Sequence, residues 1–562
     1  MKRVLSLLIL LALLLSCAGS AIAEDAESAV VVKNYKELVS AVNEQGATRV
    51  LISAKYKHGT TDILAIEPGG RTVLIAPENG ESAVINGRVD VNGEGTVNFE
   101  NVSIVGPAGE IGLFVGFGAN VTIGSVTGGK AKKENGFPAV IVEVGTLTID
   151  SAVGSDGKSG FGGDGIYTFA GVVLVREAVG GSAPKGFGGS GVVAFGGSTV
   201  TVTGSATGGN GLYAPGKGVL LGLNGAVEGE GALIDGTELE GKKTLDLETV
   251  TNRNMLEYAL RSGKTDILLA PGYRPQSEFP FYMVLFPAGT EPVRIASANE
   301  KKPATMDGHQ FIYFGTWTFE NIKFTNNTGK KSDICLRVGW NSHVTASGSI
   351  TVKGSSMGIV AADKSWIEFT GDCISDNSGI EAKSGATVIL NGNVKIKSKG
   401  KYAVGATDNG SVTVNGNVDV AGDSNALYSQ GGSITVNGTV HVKGSDDYPV
   451  VYMSGGEINL TGPLTSDGQS TCIHCDGGKI TVTGDVTSKS TTRYSVFMDE
   501  DADGVTINGT LYTAGPAYNV GHGQLIINGD VIIRTRKEWG SYGDTKAPGK
   551  SKVNGKIWID RK

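Results

Sequence analysis

The chain has 562 residues and a net charge of -7, with 86 glycines, 16 prolines and only 7% aromatic residues. Glycine at about twice its usual ~7% beside so few prolines and aromatics excludes a disordered linker and an ordinary helical enzyme, and the acidic balance offers nothing toward nucleic acid. An ordinary chain of this length divides into several domains, whereas a solenoid lengthens without widening its core.

In chain order, residues 1–23 read as a secretory signal. Lys2 and Arg3 precede an apolar run from Val4 to Leu15, and Ala21-Ile22-Ala23 supplies small residues before Glu24. That run is too short to span a bilayer, so no membrane span is expected. Leu14-Leu15-Ser16-Cys17 also resembles a lipobox, which leaves lipidation at Cys17 as the alternative to cleavage after Ala23. Either way the protein is expected to be secreted or held at the cell surface.

Asn34 to Gln45 reads as a short amphipathic helix capped by Asn34, followed by an apolar strand from Arg49 to Ile52. The pattern returns at Asn252 to Ser262 and Asp266 to Leu269, which sets Leu38, Ala41 and Val42 opposite Leu256, Ala259 and Leu260. Phe99-Glu100-Asn101 likewise recurs as Phe319-Glu320-Asn321. The sequence therefore predicts a tandem duplication, residues 24–243 and 244–562, each copy opening with a helix that plugs its core.

Within the first copy, Val121, Leu147, Val173 and Val200 mark rungs of 26, 26 and 27 residues. Their length lies in glycine-rich loops, Ser159 to Gly165 and Lys185 to Gly191, read as flexible turns because no Lys-Ser/Thr or helix N-terminus follows to hold a phosphate. An outward strip of Phe114, Ile141, Tyr167, Val193 and Leu220, with Phe169 and Phe195 beside it, is too apolar to stand bare. The loops, the second copy or a partner is expected to cover it.

In the second copy a glycine preceded by Asn or Thr falls at 392, 416, 438, 462, 484, 509 and 529, at separations of 24, 22, 24, 22, 25 and 20 residues. Such a period is the signature of a coil stacked on copies of itself. Apolar residues alternate before each glycine (Val412 and Val414, Ile434 and Val436, Ile458 and Leu460) and again after it (Val418 and Val420, Val440 and Val442). A third strand is aligned on Val404, Leu427, Val451, Ile473, Val496 and Val520. Alternation with period two buries one face of each strand, so identical positions on successive turns should form aliphatic ladders about 4.8 Å apart. The fold class is all-β: two tandem right-handed parallel β-helices.

A capping helix, the strand after it and Asn-Gly-punctuated three-strand rungs resemble the pectin-lyase-like right-handed parallel β-helix superfamily. The resemblance implies the fold. It leaves open a polysaccharide lyase, a glycoside hydrolase, a non-catalytic adhesin or a structural stalk. A hydrolase needs carboxylates converging on one glycosidic oxygen. Asp446-Asp447, His522 and the pair Arg534 and Arg536 echo that family's order, but Asp446-Asp447 lies three rungs before His522, which aligns with inward Met453, Cys475 and Met498. No calcium cluster with an arginine base of the lyase type is found, so no catalytic residue is assigned. Cys335, Cys373, Cys472 and Cys475 read as buried thiols: Cys472 and Cys475 should point to opposite faces, and one histidine beside two cysteines is too few ligands for zinc. No metal or cofactor is expected.

Surfaces remain as candidates. Tyr428, Tyr452, His474 and Phe497 fall at the outward position of the third strand on four consecutive rungs, a column suited to a polysaccharide or cell-surface glycan, or else one that only stabilises the solenoid. Thr413, Thr435, Asn459, Thr481 and Thr506 form a polar column on the first strand. From Val531 onward nine Lys or Arg stand against three acids. Arg534, Arg536, Lys537, Lys550 and Lys552 are candidates for an anionic partner, unless the tail is a solvated basic cap with Ile557, Trp558 and Ile559 covering the core. The function expected is an exported, non-catalytic, adhesin-like protein that binds a glycan or another surface ligand.

Overall fold

The computed structural model describes residues 29–57, 63–222, 224–228, 232–233, 247–274, 283–285, 291–326, 334–354, 357–397, 400–444, 446–499, 501–534 and 550–559. The segment 1–23 with Cys17, the expected boundary between 243 and 244, and Arg536 and Lys537 lie outside the described residues. The architecture is a parallel β-solenoid. Among the described residues the strands from Val30 to Leu233 form a sheet of 11 strands and one of 7, and those from Val250 to Ile559 form a continuous 33-stranded sheet.

The ladders follow the sequence pattern. Leu147 pairs with Val121 and Val173, and Val173 with Val200. Val412 pairs with Val388 and Ile434, and Leu427 with Val404 and Val451. All of these residues are buried. Stacked rung on rung, they form one core running from Val32 to Ala206 and another from Val250 to Ile533. Each fully buried Val, Leu or Ile contributes about 1.5–3 kcal/mol relative to exposure, so the ladders supply most of the stabilisation.

The glycine period has two causes that strand alternation did not disclose. At the corner between first and second strands, successive backbones nearly touch: a Cβ on Gly416 would lie 2.3 Å from the carbonyl oxygen of Gly392, and one on Gly438 would lie 2.3 Å from that of Gly416. Where asparagine precedes the glycine on successive rungs it stacks on its counterpart, Asn437 Nδ2 donating to Asn415 Oδ1 at 2.8 Å and Asn415 Nδ2 to Asn391 Oδ1 at 2.7 Å. Asn528 and Asn508, and Asn554 and Asn528, continue the arrangement near the C-terminal end. These amides satisfy one another at a corner where no strand ladder can.

The two segments matched in sequence share local geometry. Helix α1 (Tyr35–Val39, continued as a π-turn over Ser40–Glu44) is capped by Asn34, whose Oδ1 accepts from Glu37 N at 3.0 Å. Helix α2 (Arg253–Arg261) is capped by Asn252, whose Oδ1 accepts from Met255 N at 3.0 Å. Leu38, Ala41 and Val42 close the first core, and Leu256, Ala259 and Leu260 close the second. Asn101 and Asn321 both take φ near 54°, a left-handed conformation that asparagine tolerates, and both bend a long strand at the same place in the rung.

The glycine-rich loops depart from the expectation of flexible turns. Gly162 N donates to Phe187 O, Gly181 N to Gly163 O, Gly189 N to Gly181 O and Gly209 N to Gly189 O, all at 2.8–2.9 Å. A Cβ on Gly163 would lie 2.0 Å from the carbonyl of Phe137, so absence of a side chain lets these loops stack as closely as strands do. Phe161 and Phe187 stack between them at 4.8 Å.

Helix α2 docks on this stack. Arg261 donates to both carboxylate oxygens of Asp164 at 2.9 Å and to Glu257 at 2.7 Å, and lies 5.3 Å from the centre of the Phe161 ring. Tyr258 stacks on Phe187 at 4.6 Å. Beside it, Phe169 meets Tyr313 and Trp340, and Phe195 meets Phe314, at ring separations of 5.9–6.3 Å. Of the apolar strip, Phe169, Val193, Phe195 and Leu220 form a third cluster, with Tyr167, Phe314 and Trp340 packed against it. The chain beyond Val250 thus covers that part of the strip.

Candidate functional site

The third strands of five rungs, Tyr402–Thr407, Asn425–Gln430, Val451–Leu460, Ile473–Val482 and Val496–Met498, each turn two residues inward around one outward residue. Tyr428 pairs with Tyr452, Tyr452 with His474, and His474 with Phe497, so the four candidate rings stand in one column, each half-buried. Centroids are 5.6, 5.3 and 5.0 Å apart along it. Asn519 follows Phe497 in register and ends the run of rings.

A fifth ring belongs to the column. Gly405 occupies the outward position in register with Tyr428, and the ring of Tyr402 fills the space its missing side chain leaves: a Cβ there would lie 2.6 Å from Tyr402 Cε2. Tyr402 stacks on Tyr428 at 5.3 Å and 13°. The signal in the sequence was a glycine at a ring position with a tyrosine three residues before it.

Ring orientation decides what a ligand can meet. Tyr402, Tyr428 and Tyr452 are nearly parallel, at 13° and 16°, and parallel rings this close cannot lie edge to edge in one plane without clashing. They overlap as offset tiles, each shielding its neighbour's face and turning an edge outward. His474 stands at 81° to Tyr452 and 85° to Phe497, which interrupts the tiling.

Polar groups border the rings. Tyr428 Oη donates to Gln430 Oε1 at 3.3 Å and Tyr452 Oη to Asp476 Oδ2 at 3.4 Å. Burial first, then Glu381, pushes the Tyr402 phenol up, and burial with Asp476 does the same for Tyr452. The phenols of Tyr402 and Tyr452 are therefore hydrogen-bond donors at neutral pH. Burial lowers His474, against the opposing pull of Asp476 and Asp499, so its ring is neutral near pH 7. Its Nε2 is buried without a hydrogen-bond partner.

The remaining candidates are not brought together. Arg534, Lys550 and Lys552 are exposed at the C-terminal end. Ile557, Trp558 and Ile559 do not cover the core: they form one more strand on Val531–Ile533 and are 51%, 52% and 38% exposed. Asp446 and Asp447 precede a third strand while His522 follows another, three rungs on. Asp446 serves its corner instead, accepting from Gln469 N at 3.0 Å. His522 is exposed rather than inward, because Tyr518 pairs with Val496 and Val520 with Met498, a register two residues away from the expected one. A slip of two preserves the buried face, so alternation could not reveal it.

The four cysteines are free and buried. Cys472 and Cys475 do not face opposite ways, since Cys472 lies before the strand begins at Ile473. Burial pushes the thiols of Cys373 and Cys472 up to about 12 and that of Cys475 to about 11, which leaves them unreactive. Among the described residues no group of three or more His, Cys, Asp or Glu side chains is placed to hold a metal ion, and no helix is long and apolar enough to cross a membrane. Comparison with known proteins finds no matching family model, curated protein or solved structure.

Proposed function

We propose that this is an exported, non-catalytic and adhesin-like β-solenoid, built like the pectin-lyase-like superfamily, that binds an extended glycan along its third-strand face. The observation that carries the reading is a run of five half-exposed rings on consecutive rungs, four of them in register and the fifth, Tyr402, stacked on Tyr428. A lattice repeating about every 4.8 Å offers an equivalent group at each step to a polymer lying along the axis. Because the tyrosines are edge-out, their hydroxyls with Gln430, Asp476 and Glu381 are the groups that meet sugar hydroxyls, and His474 is the ring whose setting differs.

The test is a glycan array on the secreted protein, followed by affinity measurements on Tyr428→Phe with Tyr452→Phe. This pair keeps the stack and removes two hydroxyls, each worth about 0.5–1.5 kcal/mol, so affinity should fall roughly 5-fold to 140-fold with the melting temperature unchanged. Unaltered binding in this variant, with unfolding of Tyr428→Ala, would make the column a structural ladder and move the search to Arg534, Lys550 and Lys552. Release of reducing sugar or of unsaturated product from a bound glycan would instead identify a lyase or hydrolase.

A further inference from the structure

One inward position of the second core leaves the aliphatic ladder. At the end of the second strand Ile396, Val420 and Val442 stack in register, Ser466, Ser488 and Thr513 follow on the next three rungs, and Ile533 resumes the ladder. All seven are at most 2% exposed. Thr513 is satisfied from within the protein: its Oγ1 accepts from Ser495 Oγ at 2.7 Å and donates to Gly515 O at 3.1 Å. Ser466 Oγ and Ser488 Oγ are buried without a partner in the protein, as is Ser470 Oγ at the corner that follows Ser466.

The reason lies on the third strand. Ser495 stands just before Val496 and reaches Thr513 on the next rung. Val496 is in register with Ile473, and Ile473 with Val451, so the counterparts of Ser495 that face Ser488 and Ser466 are Cys472 and Val450. A hydroxyl serves Thr513, whereas the equivalent places offer Ser488 a thiol and Ser466 an isopropyl group. Buried hydroxyls in this condition are rare, because each has given up the bonds it made to solvent in the unfolded chain.

We infer that this corner is an internal binding site for water, with one molecule bridging Ser466 and Ser488. Residues paired on neighbouring strands lie about 4.8 Å apart, which is too far for their hydroxyls to bond directly at about 2.5–3.0 Å but within the span of one shared molecule. Serine lacks the branch that Val442 carries at this position one rung earlier, so the room lies beside the two hydroxyls. The ligand must both donate and accept, to match either hydroxyl, and must be uncharged, because Leu464, Val486 and Ile473 make its surroundings aliphatic. Enclosed within the core, the position admits a molecule of one heavy atom. Water meets all of these demands, and buried waters settle where otherwise unsatisfied polar groups converge. It then does for Ser466 and Ser488 what Ser495 does for Thr513.

Two measurements on the full chain test the site: a crystal structure at a resolution that shows ordered water, and oxygen-17 relaxation dispersion, which counts waters held long inside a protein. The map should show a peak within hydrogen-bond distance of both Ser466 Oγ and Ser488 Oγ. Ser466→Val with Ser488→Val restores the valine of the preceding rung at both places and should lose that long-lived water from the count. A map without the peak, serine hydroxyls bonded to main-chain carbonyls instead, or a count unchanged in the folded double variant overturns the inference. If the double variant does not fold, the wild-type map decides alone.

Discussion

Replacing Arg261 by Met tests whether α2 holds the glycine-rich stack against the second core. The guanidinium side chain is 13% exposed and its partner Asp164 only 4%, and three bonds of 2.7–2.9 Å join it to Asp164 and Glu257. Without Arg261, Asp164 keeps the N–H of Ser190 at 2.7 Å but loses its counter-charge inside the interface. Removing one partner of a buried pair costs about 3–5 kcal/mol, nearly all of it from the charge left behind. The Arg261→Met, Asp164→Asn double variant should recover most of that loss, because Asn keeps an acceptor for Ser190 and leaves no charge. The assay is hydrogen exchange at the amides of Gly162, Gly163, Gly181 and Gly189, which reports local opening where a solenoid cannot be treated as two-state. Protection should fall by about two to four powers of ten in the single variant and by less than one in the double. Equal loss in both, or no loss in the single, would refute the claim that this ion pair fastens the interface.

Val451 has no exposure and sits between Leu427 and Ile473, so Val451→Asp should cost several kcal/mol and abolish the cooperative melt, and an unchanged melting temperature would mean the inward face is misassigned. Gly416→Ala forces a methyl to 2.3 Å from a carbonyl oxygen and should destabilise by about 1–3 kcal/mol in chemical denaturation, whereas alanine at Gly504, where the nearest atom is 3.2 Å away, should cost much less. Because burial lowers His474 in the folded state, the unfolded chain takes up its proton first as pH falls. Its contribution to stability is then complete above the unfolded value of about 6.5 and declines as pH drops below it. The loss of melting temperature between pH 7 and pH 5 should therefore be smaller in His474→Phe than in the wild type, and an equal loss would count against a desolvated histidine.

The sequence alone determined what repeats. In a parallel stack each inward position recurs on every rung, so alternation of Val412, Ile434, Ile458 and their counterparts, together with the spaced glycines, specified the strands, the buried face and the column of Tyr428, Tyr452, His474 and Phe497. The capping helices were legible because N-cap chemistry is local: Asn34 and Asn252 bond to residues three positions on. Tertiary structure decided whatever depends on a single non-repeating contact or on the orientation of a ring. Arg261 meets Asp164 across 97 positions, and nothing periodic foretells which surface α2 will meet. The register of Val520 was set by the loop before it, whose length alternation does not constrain. The tyrosine rings point edge outward because neighbours one rung apart are close enough to stack on each other, a preference between side chains that no spacing along the chain records.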